Sequence, residues 1–151
     1  MKPLAAQALL AFSVVPALAW GQAAAPAHVV RDLESLQPHT LSAQELQQLM
    51  PGAAVRRVNE KGNSQGWTNG ADGSFVASSD NRATSGRAST APGKWHITDD
   101  GRYCVLIEWK HTDAEEWCRA VIKTSDGYYA AKSDRLGTEK VYRLEITGAG
   151  R

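Results

Sequence analysis

The residues able to do chemistry in this chain are few, and its two cysteines are the most telling. Cys104 and Cys118 are the only cysteines among the 151 residues. They lie in two strand-like runs, 101–109 and 116–122, and each is seven residues from His111. A hairpin centred on His111 sets them directly opposite one another, where cross-strand Cβ atoms stand about 4.5–5.5 Å apart and a small adjustment brings the sulfurs into bonding range. A disulfide is expected there, and closing a loop of this size stabilises a fold by roughly 3 kcal/mol. The spacing is not that of a C-x-x-C redox or zinc site.

His111, Asp113 and Glu115 alternate, with Glu116 adjacent. Imidazole and hard carboxylate oxygens can hold a divalent ion, but the cysteine symmetry puts this segment at a hairpin tip, where polar residues belong in any case. The expectation is a solvated turn and no metal. Ser79-Asp80-Asn81 and Lys123-Thr124-Ser125 match two of the three elements of penicillin-recognising serine enzymes, but no Ser-x-x-Lys exists to supply the nucleophile. His28, His39, His96 and His111 carry no partner signature for a Ser-His-Asp triad. No enzyme and no cofactor are expected.

The aromatic residues are the other candidates. Trp67, Trp95, Trp109 and Trp117 follow Trp20, together with Tyr103, Tyr128, Tyr129 and Tyr142. Most are expected to pack a β core. The functional alternative is that some line a barrel mouth or an open sheet face and bind an apolar or planar ligand. The candidate ligand-binding set is Trp67, Trp95, Trp109, Trp117 and Tyr128, with Arg82 and Arg87 as polar anchors.

These residues need elements to hold them. Met1-Lys2 and the apolar stretch 4–19 have the form of a secretory signal peptide, with small-residue cleavage points at Ala17-Leu18-Ala19 and Gly21-Gln22-Ala23, so 1–23 is read as the signal. Gln7, Ser13 and Pro16 interrupt the run, which falls short of the ~20 residues of a spanning helix. A periplasmic or secreted location follows, with no membrane span after cleavage, and an oxidising compartment suits the disulfide. Removing Lys2 from the 17 basic residues leaves 16 against 16 acidic ones. That balance supplies no basic field to recruit nucleic acid or anionic lipid.

After a flexible leader, 24–40, one short helix is marked at both ends. Ser42 and Glu45 form a capping box, Leu41 and Leu46 occupy the staple positions, and Pro51-Gly52 stops the helix at 50. From Ala53 on, strands are expected at 54–58, 66–69, 74–78, 94–98, 102–110, 116–123, 128–132 and 141–146. Asp99-Asp100-Gly101 and Ser125-Asp126-Gly127 signal tight hairpins between them. Residues 78–90 lack apolar periodicity and read as a long surface loop. In 102–110, Tyr103, Val105, Ile107 and Trp109 form the better core face. The spacing predicts a mainly β domain over 41–151: an antiparallel meander, either a small barrel or a strongly twisted sheet, with one short N-terminal helix.

The run Gly93-Lys94-Trp95-His-Ile-Thr-Asp-Asp-Gly101-Arg-Tyr-Cys104, followed by Trp109, Trp117-Cys118 and Asp126-Gly127-Tyr128-Tyr129, resembles the small exported bacterial proteins grouped as domain of unknown function 995. That resemblance implies no established activity. Gly66-Trp67-Thr68-Asn69 and Gly93-Lys94-Trp95 are similar to strand openings of lipocalin- and avidin-like barrels, which implies a barrel.

The resulting expectation is an exported, non-catalytic binding domain whose partner is a small apolar or planar molecule. The alternative is a module for an envelope protein, such as an inhibitor of an exported hydrolase.

Overall fold

Residues alternating in and out from Ala54 onward build one sheet that closes on itself. The computed structural model describes residues 27–148; the expected signal segment, 1–23, lies outside the described residues. Nine strands are present among these: β1 (His39–Thr40), β2 (Ala54–Val58), β3 (Ser64–Thr68), β4 (Ser74–Ser79), β5 (Ser89–Ile97), β6 (Tyr103–Ile107), β7 (Glu115–Thr124), β8 (Gly127–Ala131) and β9 (Val141–Thr147). The helix α1 (Ala43–Leu49) lies between β1 and β2. From β2 to β9 each strand pairs antiparallel with the next, and β9 returns to β2, closing an eight-stranded meander barrel. β1 stays outside the barrel and pairs with the far end of β7 through His39↔Lys123 and Thr40↔Ile122. Of the two shapes the spacing allows, the closed one is found, and closure leaves no long sheet edge.

The β6–β7 hairpin has the register expected from the cysteines, with Cys104 opposite Cys118 and Val105 opposite Trp117. The disulfide joins them with Cα atoms 4.0 Å apart. Tyr103, Val105 and Ile107 are buried in the barrel. β5 is longer than its composition suggests, starting at Ser89 instead of Lys94, because Ser89 to Lys94 pair residue for residue with Ser79 to Ser74. Pro92 and Gly93 disguise the strand in sequence. Gly93 is required by packing: a Cβ there would lie 2.2 Å from the Phe75 ring, which stacks on Trp67 at 5.2 Å.

α1 is too short to persist alone and survives by docking. Ser42 Oγ accepts from the Glu45 N–H at 3.3 Å, and the Ser42 N–H donates to Glu45 Oε2 at 2.8 Å, so two otherwise orphaned donors are satisfied. Leu41, Leu46 and Met50 drop into one end of the barrel and join Val55, Trp67, Phe75, Tyr103 and Val121 in its main core. The β5–β6 turn is pressed against this helix start. Gly101 adopts φ +78°, and its Cα approaches so closely that a Cβ would sit 3.1 Å from the Ala43 nitrogen.

The expected flexible leader is corrected in part. Residues Val30–Leu36 form a 3-10 segment, with Leu33 fully buried against Ile122, Tyr129, Ala131 and Val141 on the outside of the barrel. Asp32 anchors its start by accepting the N–H groups of His28 and Val29. The Ala/Pro-rich beginning of the leader hid this, because a single buried leucine gives no periodicity to read.

Three outcomes follow from these contacts. Ser42→Ala should lower stability by ~1 kcal/mol in urea denaturation, and an unchanged midpoint would mean that the cap does not hold α1. Replacing both cysteines by serine should cost roughly 3 kcal/mol, read the same way. The third concerns acid. The Ser42 N–H, then the His39 and Ser42 side chains, hold the Glu45 carboxyl at about 2 against an ordinary value of 4.5. A depressed carboxyl contributes stability that is present above its unfolded pKa and lost as pH falls through the folded one. Between about pH 5 and pH 2 the wild-type melting temperature should therefore fall more than that of Glu45→Gln; parallel curves would refute the coupling.

Candidate functional site

Inside the barrel the two ends differ in chemistry. At the α1 end, Trp67 Nε1 donates to Asn69 Oδ1 at 3.1 Å and to the Tyr103 hydroxyl at 3.0 Å, while that hydroxyl donates to Asn69 Oδ1 at 2.8 Å. Asn69 Nδ2 donates to the Met50 carbonyl at 3.0 Å, tying the helix end to this knot. Burial pushes the Tyr103 phenol up to about 12, so it remains a neutral donor. This end is filled.

The opposite end is open. Alternation along β2, β3, β4 and β5 brings Arg57, Gln65, Ser79 and Ser89 into one inward-facing row, since these residues are direct cross-strand partners. β7 adds Glu115, Trp117 and Arg119 at successive inward positions, paired with Ile107, Val105 and Tyr103. The β2–β3, β4–β5 and β6–β7 loops surround a cavity of about 730 Å³ lined by these groups. The 80–88 loop is pinned as one wall. Asn63 Oδ1 accepts the Ala83 N–H at 3.0 Å, and Asn81 Nδ2 donates to the Arg87 carbonyl at 2.7 Å and to Ser89 Oγ at 2.9 Å.

The charges in this mouth are not equivalent. Glu115 accepts from Arg57 Nη2, from Gln65 Nε2 at 3.0 Å and from Trp109 Nε1 at 3.3 Å, so its carboxylate is fully engaged. Arg57 also donates to Gln65 Oε1 at 2.9 Å and stacks over Trp117 at 4.8 Å. Burial, with the neighbouring Arg119 charge, lowers the Arg57 guanidinium to about 10, which leaves it protonated at neutral pH. Arg119 lies deeper than its charge warrants, with its side chain only 6% exposed. Its guanidinium rests on the Tyr142 ring at 4.1 Å and near Trp117 at 5.7 Å. The nearest carboxylate is Glu60, 3.6 Å away at the rim and 67% exposed; this is an ion pair beyond hydrogen-bond length. Among the described residues, Arg119 Nε and Nη1, Arg57 Nε and Trp117 Nε1 are buried without a hydrogen-bond partner.

Of the candidate ligand-binding residues, the mouth gathers Trp109, Trp117 and Arg87. Trp67 belongs to the core knot, and Trp95, at the same end, donates to the Gly70 carbonyl at 2.9 Å. Tyr128 lines a shallow groove of about 330 Å³ beside α1, with His39, Glu45 and Lys123. Arg82 points into solvent, 89% exposed. Within 111–116 only Glu115 turns inward to Arg57; His111 and Asp113 lie exposed in the β6–β7 loop before β7 begins, and Glu116 is exposed beside Glu115. Among the described residues no group of three His, Cys, Asp or Glu side chains is placed to hold a metal ion. Gly62-Asn63-Ser64-Gln65-Gly66 spells the G-x-S-x-G of a nucleophile elbow. Ser64, however, opens β3 within a hairpin instead of a strand-to-helix turn, and its N–H donates to Asp80 Oδ1 at 3.0 Å. Arg57, Gln65, Arg119 and Tyr142 were absent from the sequence-based set. Their signal was available in the period of two, which puts Arg57 on the face of Val55 and Arg119 on the face of Trp117.

Fold and mouth together define an up-and-down β-barrel of the eight-stranded class that includes lipocalins, plugged by a helix at one end and open at the other. The chain belongs to the family described as Protein of unknown function (DUF995), which it matches over residues 17–125. No curated protein and no solved structure matches it.

The Arg57–Glu115 pair makes a direct prediction. Glu115→Gln leaves a buried guanidinium without its counter-charge and should destabilise the protein by about 3 kcal/mol. Adding Arg57→Met to that variant should restore most of the loss in urea denaturation. Additive losses would show that the two groups act separately.

Proposed function

We propose that this chain is an exported, non-catalytic binding domain that takes up a small molecule in the open mouth of its barrel. The observation that carries this reading is the asymmetry of the interior: one end is filled by α1 and its aromatic knot, while the other opens onto about 730 Å³ with buried polar groups at its base. A cavity of this size suits a compact ligand, since small-molecule sites run to roughly 300–1,000 Å³ and place few polar groups among apolar walls. Trp109 supplies a planar wall, in keeping with a planar ligand body. The pinned 80–88 loop supports a small-molecule site more than a protein partner, because it forms a side of the cavity. Export is supported by the Cys104–Cys118 disulfide and by the form of residues 1–23. Among the described residues no helix is long and apolar enough to cross a membrane.

Intrinsic fluorescence of the purified protein should change saturably with a ligand from a panel of small planar compounds, and the change should shrink in Trp109→Phe. Saturation retained in full by Trp109→Phe and abolished by Tyr128→Ala would move the site to the groove beside α1. A panel without saturation, together with stoichiometric retention of one envelope protein, would replace this reading by the partner-module alternative.

A further inference from the structure

The geometry points to the ligand class: a singly charged organic anion, a carboxylate on a planar body, held by Arg119 with Glu60 as the group it displaces. This inference rests on the mouth being the binding site. Arg119 is the only guanidinium lining the mouth that is both buried and without a hydrogen-bonded carboxylate among the described residues, whereas Arg57 is neutralised by Glu115. A buried cation so placed is costly unless an anion completes it. Two buried N–H groups of Arg119 find no acceptor, and Trp117 Nε1 close by is a third unused donor. Once Glu60 is displaced, Arg119 Nη2 and one of its free nitrogens form the fork that matches a carboxylate in two parallel bonds.

The Glu60 carboxylate already leans toward this position from the β2–β3 loop. It is held there by a hydrogen bond from the Tyr142 hydroxyl at 3.0 Å, and it stops 3.6 Å short in Arg119's direction. It is an exposed, imperfect substitute for a ligand carboxylate, and a ligand must outcompete it. The charge of the mouth also limits the ligand. Five cationic side chains and four carboxylates line it, leaving a single positive charge to neutralise, so a monoanion suits it better than a doubly charged phosphate. The cavity of about 730 Å³, with Trp109 in its lining, leaves room for a ring system attached to the acid.

The test compares 2-naphthoate, its neutral isostere 2-naphthamide and 2-naphthyl phosphate by isothermal titration on the wild-type protein, Glu60→Gln and Arg119→Gln. The acid should bind at least tenfold more tightly than the amide, as expected when a hydrogen-bonded charge is lost, and more tightly than the phosphate ester. Glu60→Gln should tighten the acid by up to about fivefold and leave the amide unchanged, while Arg119→Gln should remove the preference for the acid. If Arg119→Gln fails to fold, the ligand comparison and the exposed Glu60 variant decide alone. Equal binding of acid and amide, or an acid affinity untouched by Glu60→Gln, overturns the inference while leaving a binding mouth. A preference for the phosphate ester overturns the choice of monoanion. No binding of any of the three, with saturation by other planar compounds in the fluorescence panel, also overturns it; silence in both experiments removes the mouth as a site.

Discussion

Closing eight strands on themselves leaves an interior just wide enough for side chains, and every other feature of this protein follows from how that narrow space is shared. Each strand sends alternate residues inward, so each contributes only two or three groups. At the α1 end these are Val55, Trp67, Phe75, Tyr103 and Val121, and they meet Leu46 and Met50 from the helix. At the mouth they are Arg57, Gln65, Ser79, Glu115 and Arg119. The same strands carry both sets, a residue pair apart.

The apolar half sets the rigidity of the polar half. Asn69, Tyr103 and Trp67 bond to one another, and Asn69 also holds the Met50 carbonyl. Tyr103 is the direct cross-strand partner of Arg119, and Val55 lies two positions before Arg57 on the same face. The guanidiniums are therefore positioned by strands whose inner faces are already packed. A polar network in a dry interior is worth most when complete and costs most when incomplete. Glu115 supplies the counter-charge for Arg57. Arg119 has stacking partners in Tyr142 and Trp117, and a carboxylate beyond bonding distance.

The outside of the barrel is held by devices that do not compete for interior space. The disulfide crosses β6 and β7 on their outer face, β1 pairs with the end of β7, and Leu33 covers Ile122, Tyr129 and Val141. They act on the strand that carries Glu115, Trp117 and Arg119. β7 is thus fixed from both faces, which suits a strand that supplies much of the mouth.

What the sequence alone determined is what depends on neighbours in the chain. The capping box of Ser42 and Glu45, the turn at Asp99-Asp100-Gly101 and the alternation of Tyr103, Val105 and Ile107 are short-range chemistry. The cysteine pairing joins them because two residues symmetric about a hairpin tip meet through local geometry. Tertiary structure alone decided whether the sheet closes, which aromatic residues are absorbed by the core, and which charges are taken out of water. Trp67 and Trp117 look alike in sequence; one is spent on Asn69 and Tyr103, the other lies beneath two arginines. Arg57 and Glu115 are far apart in the chain and meet only because β9 returns to β2 and closes the ring. The reason is physical: alternation states which face a residue takes, but only closure decides that a face is an interior and which residues share its depth.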